Sequence, residues 1–166
     1  MFLKNYTSDV PVSDSLYRIE QVLIRCGVSG ITKEYSPTTP GKIVAVIFNI
    51  ALDGQRVFTV RLPANEEQAI EAFWLDYVGL DWHDGKRVTN NPCKRKTRVD
   101  FVQQGERTAW SIVKDWVEVQ LSMIQMRQAD FRQVFLPYVW DGKQTFFDRI
   151  KGGGFLALEA PKEDRR

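Results

Sequence analysis

The chain has 166 residues, 43% hydrophobic and 27% charged, with a formal net charge of +2. Such a chain buries enough apolar surface to offset its ordering entropy, which excludes a disordered polymer and fits one domain with a single core. The longest apolar run, Ile43 to Leu52, is interrupted by Asn49 and is about half of the roughly 20 residues a membrane-spanning helix needs.

The first residues, Met1-Phe2-Leu3-Lys4-Asn5-Tyr6-Thr7, lack the basic and then apolar pattern of a secretory signal, so a cytoplasmic protein is expected. Residues 1–12 read as a leading strand or arm. A first helix is expected from Ser13 to Cys26, with Ser13 as N-cap. Leu16, Ile19, Leu23 and Cys26 recur at the spacing of one buried stripe, and Gly27 stands where a left-handed C-cap belongs. Three strands follow: Ile31–Tyr35, Lys42–Ile50 and Arg56–Leu62. The middle one is apolar on both faces, as in a strand covered on both sides. The third alternates, with Phe58, Val60 and Leu62 on one face. Asp53-Gly54 is a hairpin signal between them.

Pro63 ends the third strand, and Asn65 with Gln68 resembles the capping box of a helix running to Tyr77, with Ala69, Ile70, Phe73, Trp74 and Tyr77 on its apolar face. Residues 79–100 read as one long loop, or at most a second hairpin. The longest helix is expected over Val102–Met126. Trp116 lies in its buried stripe, whereas Trp110, about 120° around the helix, lies at the edge. Short helices are expected over Asp130–Leu136, stopped by Pro137, and over Lys143–Lys151, ended by Gly152-Gly153-Gly154. Pro161–Arg166 is a charged tail.

The expected architecture is therefore α+β in one domain over 1–160: an N-terminal helix, a small antiparallel meander, then a long helix and two short helices packed on the sheet.

The residues needed for catalysis are sparse. The chain has one histidine, His83, and two cysteines, Cys26 and Cys93, both expected as free thiols in a reducing compartment. No paired short Cys or His spacings exist for zinc, no nucleophile elbow is present, and no glycine-rich phosphate loop opens a helix, so no metal, cofactor or catalytic residue is assigned. Asp115 and Glu118 share a face of the long helix and read as solvated or ion-paired carboxylates rather than a catalytic pair.

Charge is the more informative signal. Between Lys86 and Arg98 stand six cations, Lys86, Arg87, Lys94, Arg95, Lys96 and Arg98, and no acid. Lysine and arginine neutralise phosphates, and the nearby aromatic residues Trp74, Tyr77, Trp82 and Phe101 supply faces for bases. These six cations, with Arg56 and Arg61, are the candidate contacts to DNA or RNA. Such a loop also reads as a merely solvated one, or as a site for an acidic protein.

Several stretches together resemble a family of small uncharacterised proteins of bacteriophages and integrated mobile elements. They are Lys4-Asn5-Tyr6-Thr7, Leu16 to Gly27, Arg61-Leu62-Pro63-Ala64, Glu106-Arg107-Thr108-Ala109-Trp110 running into Lys114-Asp115-Trp116-Val117-Glu118, and Val134-Phe135-Leu136-Pro137-Tyr138. The resemblance implies an accessory protein of a phage or mobile element and assigns no catalytic residues. It also marks Trp82–Asp100 as an insertion, since many members of the family are shorter there. The order helix, meander, helix is similar, at the level of fold alone, to phage single-strand annealing proteins.

Two non-enzymatic functions follow: nucleic-acid binding through the basic segment, or a protein-interaction module, such as an inhibitor of a host defence or regulatory protein, anchored by Trp110, Tyr138 and Trp140. An enzyme is the least favoured class.

Overall fold

The computed structural model describes residues 3–52, 56–78, 80–83, 86–89 and 96–153. In chain order the elements are α1 (Val12–Arg25), β1 (Ser29–Tyr35), β2 (Ile43–Leu52), β3 (Arg56–Pro63), α2 (Glu66–Val78), β4 (Leu80–His83), β5 (Lys86–Thr89), α3 (Val102–Gln125), α4 (Phe131–Phe135) and α5 (Phe146–Gly153). Short 3-10 turns lie at Arg98–Phe101 and Leu136–Tyr138. The α+β class and the order of elements are those expected. The turn expected at Asp53-Gly54 and the tail Pro161–Arg166 lie outside the described residues. The chain gathers into two compact units, Met1–Cys26 with Pro63–Ser122, and Gly27–Leu62 with Met123–Arg166. No helix among the described residues is long and apolar enough to cross a membrane.

In the first unit, α1 buries Leu16, Ile19 and Leu23. It begins after Pro11, whose side chain has no acceptor to cap it; Ser13, expected as the N-cap, lies within the first turn and its hydroxyl donates to Asp14. Gly27 takes the left-handed conformation past its end, with φ +79°. The leading arm is a turn rather than a strand, laid along α3: Asn5 donates to Asp115 at 3.0 Å, Ser8 meets Ser111 at 2.9 Å, and Gln104 donates to the carbonyls of Tyr6 and Ser8. Polar side chains on one face of α3 thus supply the partners that a sheet would otherwise give the arm's backbone.

Helices α2 and α3 approach closely at Gly105, where a Cβ would stand 2.4 Å from Ile70 Cγ1. Nearby, the Trp110 indole donates to the buried Glu66 carboxylate at 2.8 Å. Trp110 is completely buried and Trp116 only half-buried, the reverse of the order expected from the stripe. Within the stretch read as one long loop, or at most a second hairpin, β4 pairs antiparallel with β5 from Leu80–Thr89 to His83–Lys86.

In the second unit, β1, β2 and β3 form an antiparallel sheet in that order. Register shifts at both ends of the β1–β2 ladder mark bulges, one of them at Gly30, with φ +67°. From β2 and β3, Ala45, Val46, Phe48, Ile50, Val60 and Leu62 are buried. The Phe135 ring meets Phe48 edge-on at 5.6 Å, seating α4 on the sheet. Asp130 caps α4 in a capping box with Gln133. Pro137 then falls in the 3-10 turn, and the chain crosses β3, with Val139 bridged to Val60 and the Trp140 amide donating to the Thr59 carbonyl at 2.9 Å. This crossing covers part of an edge that would otherwise present unpaired backbone groups.

Candidate nucleic-acid interface

The candidate interface is built on the C-terminal half of α2. Three- and four-residue steps place Phe73, Trp74 and Tyr77 close together around that helix, with Phe73 buried and the other two half-buried. Strands β4 and β5 follow α2 in the sequence, and the Lys96 backbone N–H donates to the Tyr77 hydroxyl at 3.1 Å. Thr97 and Asp100 then close a capping box that opens the 3-10 turn. The Thr97 amide and hydroxyl hold the Asp100 carboxyl below its usual pKa.

That turn delivers Phe101 into the aromatic group. Its ring lies parallel to Phe73 at 6.3 Å and tilted against Tyr77 and Trp74 at 5.3 and 6.4 Å. Trp74 and Tyr77 are 6.2 Å apart. The exposed Lys96 ammonium stands 5.6 Å from the centre of the Phe101 ring, within cation–π reach. Trp74, Tyr77, Phe101 and Lys96 are therefore brought together, where the last residues of the basic run rejoin the described structure.

The eight expected phosphate contacts fare differently. Arg98 is held by two carboxylates of α2, Glu67 at 2.8 Å and Glu71 at 3.1 Å. These two bonds, that to Glu67 first, raise its pKa above the ordinary arginine value. Arg61 makes a two-point contact with Glu34, at 2.6 and 3.3 Å. Each is thus a compensated cation, which would meet a phosphate only by sharing or giving up its carboxylate partner. The glutamates are 31, 27 and 27 positions away in the chain, so no local pattern announces them. Arg56 sits on β3, and Lys86 and Arg87 sit on β5; their side chains lie outside the described part of the structure. Lys94, Arg95 and Cys93 lie outside the described residues.

Of the expected partner anchors, Trp110 belongs to the interior, since it has no exposed surface and its one polar atom is bonded to Glu66. Tyr138 and Trp140 are half-buried. The residue between them, Val139, lines a small apolar cleft of about 130 Å³ with Ile50, Phe58, Val60, Phe131, Phe135 and Leu136. Sequence reasoning missed this cleft, because its walls come from three separate stretches of chain.

Among the described residues no cluster of His, Cys, Asp and Glu could hold a metal ion. Asp115 and Glu118 have cationic partners, Lys4 and Lys114 on the first and Arg18 on the second, as ion-paired carboxylates should. Cys26 is a free thiol, and burial raises its pKa, which makes it a poor nucleophile at neutral pH. No protein-family model, curated protein or solved structure matches the chain.

Proposed function

We propose that this is a non-enzymatic nucleic-acid-binding protein that uses the basic segment Lys86–Lys96, rooted on α2. The phage or mobile-element setting is part of the proposal and rests on the motif resemblance alone. One observation carries the binding reading: the described end of the basic run is fixed to a part-exposed aromatic group, with Lys96 bonded to Tyr77 and poised over Phe101. A run of cations that was merely solvated would need no such anchorage. Five cations, Lys86, Arg87, Lys94, Arg95 and Lys96, with no acid between them give the segment the charge density that binds phosphates and releases counterions.

The test is a salt titration of binding to a fluorescently labelled oligonucleotide. Replacing Lys94, Arg95 and Lys96 together by Ala is expected to weaken binding and to flatten the log–log salt slope by roughly one unit for each phosphate no longer neutralised. Equal affinity and slope for both proteins would discard the basic segment as the interface.

The apolar cleft favours a second reading, a protein-interaction module in the second unit that receives one leucyl or aromatic side chain of a host protein. A cavity of about 150 Å³ is known to hold a benzene-sized group, and this one is similar. Leu136 lines it and is 44% exposed. If this reading is right, a host protein held stoichiometrically and resistant to nuclease is released by Leu136→Asp. Retention by that variant would remove the cleft from consideration.

A further inference from the structure

We infer that Trp74, Tyr77, Phe101 and Lys96 form a base-stacking platform, so that the polyanion bound is a single strand rather than a duplex. The inference rests on the nucleic-acid reading and adds a substrate class to it.

Phe73 is buried and closes the inner side of the group, while Trp74, Tyr77 and Phe101 each keep part of their surface in solvent. Tilts of 33°, 53° and 57° among these three keep them from stacking fully on one another. Part-exposed aromatic surface carries a hydration cost that a stacked base would relieve, and every base has a face to offer. In a duplex those faces are already occupied by neighbouring base pairs, so only an unpaired strand can use the platform.

Electrostatics points the same way. Beside the rings, Glu67 and Glu71 would repel a phosphate backbone, and Arg98 bonds to both. Arg98 therefore acts as a neutralising screen, which leaves Lys96 as the described cation placed to meet a phosphate while a base lies on the adjacent ring. The remaining acid of the turn, Asp100, has its carboxylate bonded to Thr97. An aromatic surface with a cation at its margin, continuous in sequence with a basic segment, is the combination that sequence-tolerant single-strand binders use.

The experiment measures binding of the full chain to a labelled oligothymidine and to a duplex of equal length at low ionic strength, for the wild type and for Trp74→Leu, Trp74→Phe and Phe101→Leu. Circular dichroism and melting temperature identify the folded variants. The single strand is expected to bind more tightly than the duplex. Trp74→Leu, which keeps apolar bulk but removes the π-face, is expected to weaken single-strand binding roughly tenfold and to leave duplex binding unchanged. Trp74→Phe is expected to retain most of the affinity. Should Trp74→Leu misfold, Phe101→Leu supplies the same comparison. Equal affinity for both nucleic acids, or unaltered single-strand binding by the folded leucine variant, overturns the platform while leaving the charge-based reading intact. Failure to bind either nucleic acid overturns both.

Discussion

Asp115 shows how a single carboxylate ties two distant pieces of chain together. Its partial burial would raise its pKa, but hydrogen bonds from Asn5, Lys4 and Lys114 outweigh that and hold the carboxyl at about 2. A depressed pKa stabilises the folded state wherever the unfolded carboxyl would also be ionised, that is, above about 4, and the contribution disappears as pH falls toward 2. Asp115→Asn is therefore expected to cost about 1–3 kcal/mol at neutral pH and to flatten the loss of stability between pH 4 and 2, as read from urea unfolding at several pH values. An unchanged acid limb would show that the arm is held without it, by Ser8, Gln104 and Thr108, whose hydroxyl donates to the Asn5 carbonyl at 3.1 Å. Trp110 likewise depends on a carboxylate far away in the chain. Its indole N–H needs an acceptor once buried, and Glu66 provides one, so the most polar-sounding contact of α2 belongs to the interior rather than to a surface.

At the level of elements, the approach of α2 to α3 turns on one small residue. Alanine favours helix over glycine by up to about 1 kcal/mol in a helix interior, yet at Gly105 the added Cβ would stand 2.4 Å from Ile70 Cγ1 and 3.1 and 3.2 Å from the Ile70 backbone. The side chain of Ile70 has room to rotate only within a close-packed interior, and its backbone belongs to α2 itself. Overpacking of this kind costs about 1–3 kcal/mol, so steric conflict outweighs propensity. Gly105→Ala is expected to lower the melting temperature despite improving the helix. A rise instead would mean that α2 shifts aside freely. Because Trp74 and Tyr77 ride on α2, the same substitution also tests how far the candidate interface depends on the seating of that helix.

Across the whole molecule, local pattern and long-range contact govern different things. The order of the elements, the ends of α3 and the short helix that follows Asp130 were legible because periodicity, caps and turns act over a few residues. The basic segment was legible too, as composition. The exchange of Trp110 and Trp116 was not, since the stripe of an amphipathic helix says which residues share a face but not which face its neighbours will cover. Nor was the fate of the charges. Arg61 and Arg98 look alike in the sequence to any other surface cation, and only folding places Glu34, Glu67 and Glu71 against them. The chain alone therefore determined its elements, their succession and where positive charge is dense, because each of these is fixed by neighbours in sequence. The tertiary structure decided which cations are already compensated, which tryptophan is interior, and that Trp74, Tyr77, Phe101 and Lys96 meet, because those outcomes depend on contacts between residues brought together only by packing.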